Sequence, residues 1–296
     1  MRDWLSRGAS AARAASERSD LWLPGALGWI VYIGWLPLLV AVSPAPQADD
    51  LAYLGVRLVA ASAFPWNVVA LVAALVGLAL LLSLLVGVSE VALQAPAADE
   101  ARRAHAPTVL AAVGVILIAS LPVVAAGSAL AIGIVTVAPG LFLATPSLIE
   151  IIARVVRALW PLIAVLGVLL LLAQTFGAVA MRTTARGRGL AAGCADAARD
   201  LARHPLRRIA TGAVSMLVDL ATLAVSAALL RVLWSPIEID VAGRRLLSPG
   251  TLALLLGFVA IWFALVLAAG AARTWLSTWW SMEMSSESPG GALDAS

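Results

Sequence analysis

Six apolar runs of near-membrane length decide what this chain can fold into. They are Leu21 to Val42, Phe64 to Val88, Thr108 to Val137, Leu162 to Met181, Ile209 to Trp234 and Thr251 to Ala272. At a rise of about 1.5 Å per residue, roughly twenty helical residues cross the ~30 Å hydrocarbon core of a bilayer. The bilayer offers no water to unpaired backbone groups, so such runs span it as helices. Composition agrees, with 62% hydrophobic and 12% charged residues and a mean hydropathy of +0.97. The expected fold class is all-α: a polytopic membrane protein of six transmembrane helices with amphipathic juxtamembrane helices.

The third run is the ambiguous one. Val109 to Ala144 is long enough for one helix with an apolar tail, for a tight hairpin near Pro122 to Ser128, or for a re-entrant piece. The first half of a hairpin would hold only about fifteen residues, short for a span. A single helix over Thr108 to Val137, bent near Pro122, is therefore expected. Leu148, Ile151, Ile152, Val155, Val156 and Leu159 then recur at helical spacing opposite Arg154 and Arg157, behind a Ser147-x-x-Glu150 capping box. This pattern predicts an interfacial amphipathic helix that leads through Trp160-Pro161 into the fourth span.

Residues 1–20 read as a cytoplasmic juxtamembrane helix, 21–284 as the transmembrane domain and 285–296 as a disordered acidic tail. A signal peptide is the rival for the N-terminal segment. Leu21 to Val42 is longer than a typical signal core, and Pro44 would follow the plausible cleavage site, so an uncleaved first span is expected. Ser89 to Pro107, with five charges, reads as a soluble connector.

The 20 basic residues are all Arg. With the N-terminus inside, 14 of them fall on cytoplasmic segments, seven between Arg182 and Arg208 alone. The positive-inside rule then places both termini in the cytoplasm, across a plasma membrane. Trp66, Trp160 and Trp234 mark outer ends, and Trp22, Trp275, Trp279 and Trp280 inner ones. Because the basic residues flank spans, anionic lipid headgroups account for them without nucleic acid. Cys194 is the one cysteine, which excludes an intrachain disulfide and any cysteine-cluster metal site. At an offset of 181 residues, Arg7, Gly8, Ala11, Ala14, Arg18 and Pro24 match Arg188, Gly189, Ala192, Ala195, Arg199 and Pro205. A repeat of surface helix, Pro break and hairpin would give this pattern, and so would an Ala/Arg-rich composition.

Chemistry concentrates on the fifth run. Thr211, Ser215, Asp219, Thr222 and Ser226 fall within one sector of roughly 80° on a helix. Asp219 is the carboxylate nearest the middle of a membrane-length segment. An intramembrane charge costs about 2.5–3.5 kcal/mol on insertion scales and belongs in a bundle interior. Counting depth from the inner ends, Tyr32 and Ser120 lie near its level, with Gln174 closer to the cytoplasm. These eight residues form a candidate polar pocket, although the hydroxyls could equally serve as interhelical glue. No complementary charge is expected in another span at the depth of Asp219. Arg199, Arg203, Arg207 and Arg208 are the candidates for docking a partner or anionic lipid.

His105 and His204 read as solvated loop residues and make no metal site. The chain has no G-x-S-x-G, H-E-x-x-H or Walker A sequence, so it is expected to be non-enzymatic and without cofactor. Three functions follow in order. The first is a scaffold or accessory component of a membrane complex, with a cytoplasmic partner subunit or a second copy as its partner. The second is a transporter or the permease subunit of an ATP-driven transporter, using the stripe around Asp219. The third is an intramembrane lipid-active enzyme.

Overall fold

A computed structural model describes residues 2–42, 57, 60, 62–94, 106–142, 148–185, 189–243 and 248–285. It is 96% helical with no strands among the described residues, and six helical segments are long and apolar enough to cross a membrane. Ser147 of the predicted capping box, His105, the middle of the connector and the tail beyond Ser285 lie outside the described residues.

The chain begins with α1 (Arg2–Glu17), an Ala-rich helix that buries Gly8, Ala11 and Ala15 along one face. A 3-10 turn at Ser19–Leu21 leads into the first span, which has three parts: α2 (Trp22–Trp29), a π turn (Ile30–Gly34) and α3 (Trp35–Val42). Pro37 has no N–H, and its ring would clash with the carbonyl four residues back, that of Ile33. The wide turn falls on that carbonyl, a common way to relieve an interrupted ladder inside a helix.

The remaining helices are α4 (Trp66–Gln94), α5 (Ala106–Phe142), α6 (Leu148–Ala185), α7 (Leu190–Arg203), α8 (Pro205–Ala242) and α9 (Pro249–Ser285). The single-helix expectation for the third run holds, since α5 is continuous. Three boundaries differ from those expected. The amphipathic segment and the fourth span are one helix, α6, with Pro161 inside it. Proline removes one ladder bond there, to Arg157, and the helical pattern on both sides outweighs that loss. The connector begins later than expected, because α4 runs on to Gln94 with Ser89, Val91, Leu93 and Gln94 buried. Finally, α8 passes through Pro236, held by Ile237, which is fully buried against Ala41, Leu230 and Phe258.

The chain divides into two compact units, one of Met1–Leu110 with Leu217–Ser296 and one of Ala111–Met216. In the first, the initial span is the hub. Ala26 and Trp29 of α2 pack on Val266 and Ala269 of α9. The approach is closest at Gly25 and Gly270, where a Cβ on Gly270 would lie 2.2 Å from the Trp22 carbonyl oxygen and one on Gly25 2.5 Å from the Gly270 oxygen. The Ser89 hydroxyl of α4 donates to the Pro24 carbonyl at 2.7 Å, and the Thr274 hydroxyl of α9 lies 3.0 Å from the Leu21 carbonyl. At the far end, Arg231 of α8 donates to the Ala41 carbonyl at 3.0 Å.

The surface helix α1 is fastened to the end of α9. Trp275 Nε1 donates to the Gly8 carbonyl at 2.9 Å, and the Trp4 and Trp279 rings stand 4.8 Å apart. Arg7 pairs at 3.5 Å with Glu283, whose side chain is fully buried. In the second unit, α7 lies on the C-terminal end of α6. Its small residues Gly193 and Ala197 are buried, and Thr183 Oγ1 of α6 lies 2.9 Å from the Gly193 carbonyl oxygen.

Candidate functional site

The polar stripe occupies one uninterrupted helix, α8. Thr211, Ser215 and Ser226 are no more than 3% exposed, while Asp219 and Thr222 are half-buried. The Thr211 hydroxyl donates to the Arg207 carbonyl at 3.1 Å, Ser215 to that of Thr211 at 3.0 Å and Thr222 to that of Val218 at 2.8 Å. Each is a bond four residues back along the same helix, which lets a hydroxyl be buried without facing water. Ser120 likewise donates within α5, to Leu117 at 3.0 Å, and Gln174 is half-buried on α6. Ser120, Gln174, Thr211 and Ser215 belong to the second unit, and Tyr32, Asp219, Thr222 and Ser226 to the first.

Among the latter four, the charge of Asp219 acts on Tyr32. A cation also stands beside Tyr32. Arg273 stands inside α9, its Cζ 5.2 Å from the centroid of the Tyr32 ring, a cation–π arrangement. A helical Cα–Cβ bond tilts toward the N-terminus, and the N-terminus of α9 lies at the opposite end of the span. Arg273 thus leans into the span, away from the Trp275 end.

Gly28 and Ser89 complete the surroundings of Arg273. A Cβ on Gly28 would lie 2.3 Å from Ser89 Oγ and 3.3 Å from Arg273 Nη1. The absence of a side chain at Gly28 is what lets the guanidinium and the hydroxyl meet the backbone of α2.

The Arg-rich segment separates into two kinds of residue. Arg208 is 1% exposed and forked on Asp200, with Nε at 2.7 Å and Nη2 at 3.1 Å. It ties α8 to α7 and presents nothing to a partner. Arg199 is exposed and paired with Asp196 at 3.0 Å; Arg203 is exposed and Arg207 half-buried. Burial pushes the nearby Cys194 thiol above its ordinary pKa. The thiolate is the nucleophile, so iodoacetamide should alkylate Cys194 more slowly than free cysteine at pH 7.4, and the rate should climb only above the ordinary thiol range. A rate equal to that of free cysteine at neutral pH would contradict this reading.

Among the described residues, no three His, Cys, Asp or Glu side chains stand together as a metal site would require. The chain matches no family model, no curated protein and no solved structure.

Proposed function

We propose that this chain is a multi-pass component of a plasma membrane that works as a non-enzymatic scaffold or accessory subunit, with both termini in the cytoplasm. The observation that supports this most directly is the dry packing of the stripe. Three of its hydroxyl residues are no more than 3% exposed, and Thr211 and Ser215 satisfy carbonyls of their own helix. Polar groups that line a hydrated pathway face water, whereas Thr211 and Ser215 are turned onto their own helix. The orientation follows from the Arg bias, with anionic headgroups as the cytoplasmic counter-charge.

The test has two arms. Extracted from its native membrane in mild detergent, the chain should migrate in a particle well above its own 30.5 kDa plus micelle. Reconstituted alone in liposomes, it should neither move solute nor turn over lipid. Flux or turnover by the purified chain would sink the proposal.

A permease or transporter subunit is the second reading. The Arg273–Tyr32 pair within reach of Asp219 favours it, because intramembrane ionisable groups mark pathways more often than not. Asp219→Asn separates the two readings. Loss of a transport or growth phenotype with folding intact supports transport, and an unchanged phenotype removes it.

A further inference from the structure

The first unit holds a cation whose hydrogen bonds the fold leaves incomplete. Arg273 Nη1 is buried and has no hydrogen-bond partner among the described residues. The guanidinium nevertheless leans into the span, over the Tyr32 ring and against Gly28. An arginine near the end of a span ordinarily snorkels its head outward to water. Here the head points the other way, and a buried N–H without an acceptor costs free energy that a bound acceptor would return.

We propose that Arg273 is the anchor of a binding site for a phosphate oxyanion, with the Tyr32 hydroxyl as a second donor. Three observations fix this chemistry. The guanidinium is a planar fork of donors that matches phosphate, and its ring contact with Tyr32 leaves its N–H groups free to bond in the plane. The neighbouring Ser89 hydroxyl spends its proton on the Pro24 carbonyl, so Arg273 and Tyr32 are the donors left to an anion there. Tyr32 is 53% exposed and Arg273 half-buried, so the pair sits at the edge of the packed helices, with Nη1 on its buried side.

Depth favours a phospholipid headgroup as the source. Trp275, Trp279 and Trp280 follow within two turns of Arg273, and Trp belts mark the headgroup level. A lipid phosphate drawn in by one to two helical turns would reach the guanidinium with its acyl chains still in the hydrocarbon. Free phosphate carries the same chemistry and is distinguished below. Asp219 is the opposing group: its negative charge acts on Tyr32, so it repels an anion held beside that ring. The site goes beyond the scaffold and transport readings and requires neither.

The experiment uses the full chain, delipidated in detergent and titrated with short-chain phosphatidylglycerol, with the matching diacylglycerol and with inorganic phosphate. Thermal stability and native mass spectrometry give apparent affinities. Phosphatidylglycerol should bind and raise Tm while diacylglycerol does not. Arg273→Gln should weaken phosphatidylglycerol binding about tenfold, the equivalent of one charge-assisted hydrogen bond. Arg18→Gln, which removes an exposed Arg paired with Asp20, should leave binding unchanged. Asp219→Asn should tighten binding, a gain that misfolding cannot imitate and that decides the matter if Arg273→Gln fails to fold. An equal response to inorganic phosphate, lost in Arg273→Gln, would keep the oxyanion site and assign it to the soluble anion. Equal binding of phosphatidylglycerol by wild type and Arg273→Gln, a diacylglycerol response matching that of phosphatidylglycerol, or no tightening in Asp219→Asn would each overturn the proposal.

Discussion

Asp200→Asn should destabilise the folded chain by about 3 kcal/mol, near the lower end of what breaking a buried ion pair costs. The reason is where the charge is left. Arg208 is 1% exposed, and its guanidinium is forked on Asp200. Asparagine keeps the shape and the acceptor oxygen but withdraws the negative charge, so a desolvated cation loses the group that compensates it. Asp196→Asn is the matched control, because its partner Arg199 is 66% exposed and solvent already screens that pair. Its loss should cost well under about 1 kcal/mol. The double variant Asp200→Leu/Arg208→Met should recover most of the stability, since an apolar pair of similar volume avoids the desolvation altogether. Thermal unfolding in detergent reads all three. Equal shifts for Asp200→Asn and Asp196→Asn would show that Arg208 is not desolvated in solution.

Gly270→Ala should cost a comparable amount, about 2–3 kcal/mol, through overpacking. The added methyl carbon would sit 2.2 Å from the Trp22 oxygen and 2.8 Å from the Ala26 nitrogen. Both are backbone atoms of α2, so no rotamer change relieves the clash and the two helices must separate. Separation also stretches the Thr274 contact with Leu21 and opens the Trp29–Val266 packing. Gly25→Ala meets the Gly270 oxygen from the other side at 2.5 Å and should behave alike. Gly77→Ala on α4 has no atom within 4 Å of the new carbon, and should be neutral to slightly stabilising through helix propensity. If Gly270→Ala and Gly77→Ala unfold at the same temperature, the close crossing of α2 and α9 does not exist in solution.

The legibility of this chain differs by scale. Six spans and the surface helix α1 were readable because bilayer thickness and residue character are written directly in residue type. Helix ends were less so. Pro161 and Pro236 look like breaks in a sequence, yet each removes a single ladder bond, and Ile237 shows that burial decides whether the helix continues. The significance of Arg273 was hidden for a different reason. Its position beside a Trp cluster fits an interfacial charge, and only the direction of its side chain makes it part of the interior. Arg208 shows the converse: within a run of surface arginines, nothing in the string of residue types separates the one that pairs with Asp200 across the α7–α8 junction.

The π turn at Ile30–Gly34 gives the first span two phases. A turn that takes one additional residue rotates everything after it by roughly 100° relative to an uninterrupted α-helix. Along α2 the span packs on α9 and α4, whereas along α3 it sets Ala41 among Leu230 and Ile237 of α8 as well as Phe258 of α9. One helix serves two sets of neighbours that a straight rod could not satisfy with the same residues. The sequence of this span is accordingly constrained as two short helices joined by a phase shift, so a one-residue deletion within Ile30–Gly34 would misalign the entire second half while leaving its composition, length and hydropathy almost unchanged.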